Sequence, residues 1–436
     1  MPDDAKIPTG RWGRLTKLAR AGAHTGIALV RSKAAEASVE RVAQLLGEMR
    51  GIASKVGQMA SYVDGLVPEE QRELFEKSLS HLRTAAPRSS ATEIRRIVEE
   101  ELRAPIDRVF AAWSEEPIAS ASIGQVHRAT LLDGRAVAVK VQHVGIQEAM
   151  ESDLRNAGVF DTTARALGLG RFEVGRFVDE ARQRFREELD YRLEAERARR
   201  FAKLHQGDAE IVVPVVVDHA SSARVLTTGY IEALEFQDAV AASSDLRRRW
   251  AGTMWRFVYG SIMCGGVFNA DPHPGNYRFF PDGRVGFLDF GCVQEVTPFH
   301  QRSVVLAHQA ANERDFAGFE ARMARLLGAR EGRHRNLMAD YMRLAIQPIL
   351  ASPFHLSREY ARRVVAAFRE MATGMASLPA AEFRAIPPGI LFLNRLQFGF
   401  YSVLARIDVE VDYAAEEQAL LPRALASVEH YPDARD

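Results

Sequence analysis

Asp271-Pro272-His273-Pro274-Gly275-Asn276 and, further on, Leu288-Asp289-Phe290-Gly291 form the stretch on which the reading of this chain turns. A phosphoryl-transfer site needs an acid that orients the nucleophile and takes its proton. It also needs a metal-binding amide and a carboxylate that grips Mg2+. Asp271 and Asn276 have the Asp-x-x-x-x-Asn spacing of a catalytic loop, and Asp289 opens a DFG triplet. The residues between, Tyr277 to Leu288, read as two short strands around an Asp282-Gly283 turn. Such a hairpin would bring both ligand sets together. Either motif alone could be an ordinary turn; the pair at this spacing points to phosphate chemistry.

A nucleotide-gripping half is expected upstream, and the residues for one are there. Arg135-Ala136-Val137-Ala138-Val139-Lys140-Val141-Gln142 is a short, mostly apolar run with a lysine of the VAIK kind, which holds phosphates. Before it, Ala119-Ser120-Ala121-Ser122-Ile123-Gly124-Gln125-Val126 stands where a kinase places a glycine-rich loop. Small side chains still permit close approach to a nucleotide, but φ > 0 is expected to survive only at Gly124. Arg184 to Leu204, rich in Arg, Glu and Ala, reads as one helix. On a continuous helix Glu187 and Glu194, seven residues apart, would point in similar directions. A kinase uses one such glutamate to hold its lysine; a solvated face with pairs such as Glu188–Arg192 is the plain alternative.

These residues resemble the UbiB/ADCK family of atypical kinases, whose members carry an alanine-rich loop in place of the glycine-rich one. The resemblance runs from about Val42 to Ile407 and rests on five motifs in the family's order. They are Lys55-Val56-Gly57-Gln58 (K-x-G-Q), the Ala119–Gln125 loop, Lys140, Glu188-Leu189-Asp190-Tyr191-Arg192-Leu193-Glu194-Ala195 (E-x-D-Y-x-x-E-A), and the DPHPGN–DFG pair. The resemblance implies an α+β, protein-kinase-like bilobal fold, with a small β-rich N-lobe, a helical C-lobe and an N-terminal helical extension packed over the active site. It assigns Glu194 to Lys140, and Glu188 to Lys55. Lys55 and Gln58 would then occupy the space where a protein kinase receives its peptide. ATP would be held by Ala119, Ser120, Ala121, Ser122, Ile123, Val126, Lys140, Thr228 and Tyr230, with Mg2+ on Asn276 and Asp289 and Asp271 positioning the nucleophile. Three features depart from the family pattern. Asn269 stands where histidine is commoner, Arg197 replaces the asparagine expected three residues after Glu194, and Ser61–Pro68 lacks an Arg-Pro. None removes a phosphate or metal ligand.

Composition narrows the alternatives. The chain has 436 residues, 47% of them hydrophobic, enough for a bilobal core with helical additions. Its 57 basic and 57 acidic residues cancel, which argues against nucleic acid as a partner. Two cysteines, Cys264 and Cys292, exclude a disulfide framework and a four-thiolate zinc site and suit a reducing compartment. No apolar h-region marks a signal peptide, and no run reaches the ~18–20 apolar residues of a transmembrane helix. A cytoplasmic location, with peripheral membrane attachment as an option, is expected. Arg11, Arg14, Lys17 and Arg20 interleave with Trp12, Leu15 and Leu18. That pattern suits either a helix lying on anionic lipid or one packed on the domain.

The domains expected are a basic lead-in over 1–40, a helical extension over 41–105, a kinase-like N-lobe over 106–232 and a helical C-lobe over 233–436. Within them, Ser90–Leu102 reads as a helix, Val109–Val141 as strand-rich, and Gly145–Leu167 as a long helix. Ile211–Val217 and Arg224–Tyr230 read as strands, Thr227–Ile231 as the adenine hinge, and everything after Phe299 as helical. After the DFG, Cys292–Pro298 leaves no room for a conventional activation segment. The resulting expectation is an atypical kinase or ATPase with ATP and Mg2+ as cofactors, supporting isoprenoid-quinone or other lipid metabolism, with a lipid or quinone precursor as ligand. A small-molecule kinase of the aminoglycoside or choline type, and a nucleotide-gated scaffold, are the rival readings. The K-x-G-Q and E-x-D-Y-x-x-E-A motifs disfavour the first rival, and the full ligand set the second. Sequence leaves the acceptor and the oligomeric state open.

Overall fold

The computed structural model describes residues 89–120, 123–148, 186–327, 332–376 and 388–431. The basic lead-in, Lys55, Gln58, Ala121 and Ser122 lie outside them, as does nearly all of the helix expected over Gly145–Leu167. The chain divides into two compact units. Among described residues, the first takes those up to Glu196 together with Val215–Tyr230; the second takes Arg197–Pro214 and everything from Ile231 onward.

Helix α1 (Ala91–Leu102) opens the first unit, followed by strands β1 (Phe110–Ser120), β2 (Gly124–Leu131) and β3 (Ala136–Gln142). Helix α2 (Tyr191–Leu204), strand β4 (Ile211–Val212) and strand β5 (Val225–Gly229) come next. α1 starts where its sequence says it should. Ser90 accepts from the Glu93 N–H while the Glu93 carboxylate accepts from the Ser90 N–H, a reciprocal capping box. The first unit's sheet is antiparallel in the order β1-β2-β3-β5. Alternation along β3 divides its two faces. Val137, Val139 and Val141 pack with Ile94, Ile97 and Val98 of α1, so the sequence-assigned extension helix contributes to this unit's core. Ala138 and Lys140 face the other way, where Ile123, Ile146, Tyr191, Ala195 and Leu226 form a second cluster.

Two local expectations are corrected here. The run from Arg184 to Leu204 is not one helix: helical residues end at Glu188, and α2 begins at Tyr191. The interruption puts backbone groups to tertiary use. The Leu189 carbonyl accepts from Gln142 Nε2 at 2.7 Å, the Tyr191 N–H donates to the Ala223 carbonyl at 2.9 Å, and Asp190 Oδ1 accepts from the Arg192 N–H. Nor is Ile211–Val217 one strand. Only Ile211 and Val212 are in β4, and Val216 makes a single bridge to Thr228. Pro214 between them cannot donate to a ladder, and the chain changes unit after it.

The second unit is built on helix α3 (Ser244–Gly265), buried almost continuously from Trp250 to Met263. Strands β6 (Val267–Asn269), β7 (Tyr277–Phe279), β8 (Val285–Phe287) and β9 (Val293–Glu295) follow. The β7–β8 hairpin is the one expected, turning at Asp282-Gly283 with Gly283 at φ 95°, a conformation few L side chains adopt. After Phe299 the chain is mostly helical, as read, but Phe354–His355 and Glu410–Val411 also pair as a two-stranded sheet. Glu417, fully buried, accepts from Trp255 Nε1, His308 Nδ1 and Asn312 Nδ2 at 2.9–3.1 Å, which satisfies its lone pairs inside the helical core. No helix among the described residues is long and apolar enough to cross a membrane.

One buried group in this core predicts a pH dependence. His205 donates from Nε2 to the Ser261 hydroxyl at 2.8 Å and stacks on Phe257, and burial, then Arg423, lowers its pKa from 6.5 to about 4. The unfolded chain therefore binds a proton that the folded chain refuses between pH 6.5 and about 4, and stability falls as pH drops through that window. At pH 5 the loss from this group should be about 2 kcal/mol. Unfolding of His205→Gln, compared with the unsubstituted protein at pH 7 and pH 5, isolates the effect. Equal losses in the two proteins would remove it.

Candidate functional site

The candidate residues fall on both units, and the first unit carries Lys140. On an antiparallel sheet directly paired residues share a face. The pairings Ala119↔Val126, Val126↔Lys140, Lys140↔Leu226 and Ala138↔Thr228 thus set Ala119, Val126, Lys140 and Thr228 on one face. Lys140 Nζ donates to both carboxylate oxygens of Glu194 at 2.9 Å, and the Tyr191 ring lies 5.1 Å from it. The pair is largely buried, with side-chain exposures of 16% and 7%. Glu194 stands in the first turn of α2, and Tyr191 and Ala195 on the same helix pack into the sheet's second cluster, which fixes the glutamate's direction. The role of Tyr191 was not read from sequence, although it lies within the E-x-D-Y motif.

The alanine-rich loop is organised differently from the expectation. Ala119 and Ser120 are exposed and belong to β1, and Ile123 is a core residue against Tyr191 and Leu226. Gly124 lies within β2 and is absent from the glycines with positive φ. Its need is for space: an added Cβ would stand 2.5 Å from the Val141 carbonyl oxygen and 2.6 Å from the Tyr191 hydroxyl. Gly124→Ala is therefore expected to destabilise by about 1–3 kcal/mol through overpacking against a strand backbone. Chemical denaturation checks this, and an unchanged midpoint would contradict it. Nearby, the Tyr230 N–H donates to the Ala136 carbonyl, and the Arg128 guanidinium lies 4.5 Å over the Tyr230 ring. Glu188 is the last helical residue before the turn at Leu189, and its expected partner Lys55 is outside the described residues.

In the second unit, two strand pairs bring the catalytic-loop and DFG segments side by side. β6 pairs with β9, and the Ala270 N–H extends the ladder to the Cys292 carbonyl at 2.7 Å. At the other end the Leu288 N–H donates to the Asn276 carbonyl at 3.0 Å where the β7–β8 hairpin begins. Residues 270–276 and 288–292 are thereby tied at both ends. Asn276 Nδ2 donates to the Asp271 carbonyl at 3.1 Å, with the Asp271 carboxylate at 3.5 Å. The Gly291 N–H donates to Asp289 Oδ1 at 2.8 Å. His273 caps the short turn at Pro274–Asn276, its Nδ1 accepting from the Gly275 N–H at 3.0 Å. Burial, and then the Asp271 carboxylate, push the Tyr277 hydroxyl pKa well up, so beside Asp271 it stays a protonated phenol.

Two of the three departures from the family pattern occupy structural positions in this mesh; the third, at Ser61–Pro68, lies outside the described residues. Asn269 Oδ1 accepts from the Asp271 N–H at 3.1 Å, and its Nδ2 donates to the Asp289 carbonyl. Arg197, on α2, donates to the Gly291 carbonyl at 3.0 Å. Sequence marked both positions as unusual but gave neither a function.

A cation of the Mg2+ kind fits the donor set. Asn276 spends its amide nitrogen on Asp271, which leaves its oxygen as the atom a cation would use. Asp289 adds carboxylate oxygen, a hard donor. Among the described residues no group of three or more His, Cys, Asp or Glu could hold a metal.

The model of the ABC1 atypical kinase-like domain matches residues 81–322, more than half of the chain. The chain belongs to this family. Among similar proteins, Protein ACTIVITY OF BC1 COMPLEX KINASE 3, chloroplastic, of Arabidopsis thaliana is 35% identical over 263 residues, covering 58% of this chain and 36% of that protein. Atypical kinase COQ8B, mitochondrial, of Rattus norvegicus is 32% identical over 263 residues, covering 59% of this chain and 48% of that protein. The chain thus matches between about a third and a half of the length of these relatives. A solved structure, the complex of Rv3197 and erythromycin from Mycobacterium tuberculosis, is similar with a TM-score of 0.60 and 28% identity. The match covers 86% of this chain and 93% of that one. Family and solved neighbour agree with a kinase-like fold of mixed helix and sheet.

Proposed function

We propose that this ABC1-family chain is an atypical kinase or ATPase that binds ATP with Mg2+ through Lys140, Asn276 and Asp289. The observation that carries the reading is the hydrogen-bonded mesh of Asn269, Asp271, Asn276, Asp289 and Gly291, which presents one acid and two oxygen ligands from adjoining segments. Mg·ATP, when bound, supplies the transferable phosphoryl group and neutralises its charge. Lys140, held straight by Glu194, binds phosphate oxygens as a point charge. Asp271 orients a water or acceptor hydroxyl and takes its proton. The segment from Cys292 to the helix starting at Pro298 is short and carries β9, which supports a small acceptor over a peptide.

The resemblance supports isoprenoid-quinone or other lipid metabolism at a membrane surface as the wider role, with attachment peripheral to an anionic surface. Purified protein should hydrolyse ATP in the presence of Mg2+, and anionic liposomes with a quinone-like phenol should raise the rate. No hydrolysis under any of these conditions would favour the scaffold reading. Phosphate transfer to an added aminoglycoside or choline would favour the small-molecule kinase. The similar mycobacterial protein was solved with erythromycin, which makes macrolides a sensible addition to such a ligand panel.

A further inference from the structure

The backbone around Asp289 is gripped at two points by side chains from outside the DFG segment. Asn269 holds the Asp289 carbonyl while its own oxygen holds the Asp271 N–H, so one amide ties the acid and the metal carboxylate together. Arg197 Nη1 holds the Gly291 carbonyl at 3.0 Å. The N–H of that same Gly291 donates to Asp289 Oδ1 at 2.8 Å. Arg197 thus acts through Gly291: it fixes the carbonyl on one side of that residue's Cα, while the N–H on the other side aims Oδ1. Arg197 is half-buried, stands on α2 three residues after Glu194, and lies in the same compact unit as Gly291.

We propose that Arg197 is a positioning residue for the divalent cation, setting the orientation of the Asp289 carboxylate through Gly291. The inference rests on the Mg·ATP reading above and deepens it by naming what holds the metal ligand in place. A guanidinium is suited to this task, because it stays charged and its charge-assisted donor grips a carbonyl more firmly than a neutral amide would. Groups that orient a metal ligand typically cost 10–100-fold in metal affinity or activity when removed.

The test is the Mg2+ dependence of ATP binding, titrated by calorimetry at fixed ATP for the unsubstituted protein, Arg197→Ala and Arg197→Lys, beside thermal unfolding of each. Arg197→Ala should raise the Mg2+ concentration at half-saturation roughly 10-fold or more. It should leave residual ATP affinity in chelator unchanged. Arg197→Lys, which keeps one charged donor, should recover part of the shift, and it supplies the answer if the alanine variant does not fold. A folded Arg197→Ala with unsubstituted Mg2+ dependence would overturn the positioning role while leaving the nucleotide reading intact. If the unsubstituted protein binds no ATP at any Mg2+ concentration, the nucleotide reading fails and this inference falls with it.

Discussion

Asp289→Asn should lower Mg2+-dependent ATP affinity by roughly 100-fold or more, because a neutral amide cannot replace the charge of a metal-bridging carboxylate. The substitution is close to isosteric, and the asparagine oxygen can still accept from the Gly291 N–H that Asp289 Oδ1 now receives. The segment's other ties, from Asn269 to the residue 289 carbonyl and from Arg197 to Gly291, use backbone acceptors and persist. The variant should therefore stay folded without ligand, while the rise in melting temperature on adding Mg·ATP disappears. A variant that keeps the full rise would remove Asp289 from the metal site.

The second large effect concerns the ion pair on the sheet. Lys140→Ala leaves the Glu194 carboxylate, 7% exposed, without the ammonium that both its oxygens now bind. Breaking a buried pair from one side costs about 3–5 kcal/mol, since the remaining charge stays desolvated. Removing both partners relieves that penalty, so Lys140→Ala/Glu194→Ala should be less destabilised than the sum of its single substitutions by at least 1 kcal/mol. Urea unfolding of the four proteins measures the coupling, and additivity within about 0.5 kcal/mol would show that the two charges act independently. Both single variants should also lose nucleotide affinity.

The parts of this protein that sequence made legible are those in which the chemistry lies in side-chain type and spacing. DPHPGN and DFG marked the two loops, the Asp-Gly pair marked the hairpin that separates them, and a short, mostly apolar run marked the strand of Lys140. The partnership of Lys140 with Glu194 came from family resemblance, and the two do meet. What stayed hidden depends on tertiary demands for backbone groups. The break at Leu189–Asp190 follows from bonds to Gln142 and Ala223, residues distant in sequence, and periodicity carries no trace of them. Gly124 looked like a flexible loop residue, but it is a strand residue kept small by Val141 and Tyr191. Asn269 and Arg197 looked like losses relative to a family pattern. In the fold each supplies a hydrogen bond to the backbone of the DFG segment. The expected pairing of Lys55 with Glu188 lies outside the described residues and remains a matter for substitution at Lys55.

The most direct measurement of the central claim is calorimetric titration of the purified chain with ATP, once with Mg2+ in excess and once with chelator. The proposed role of Lys140, Asn276 and Asp289 as ligands of Mg·ATP requires saturable binding near one ATP per chain with Mg2+, and affinity at least ~10-fold weaker in chelator. Absence of heat and of thermal stabilisation with Mg·ATP, in a protein shown to be folded, would contradict the account.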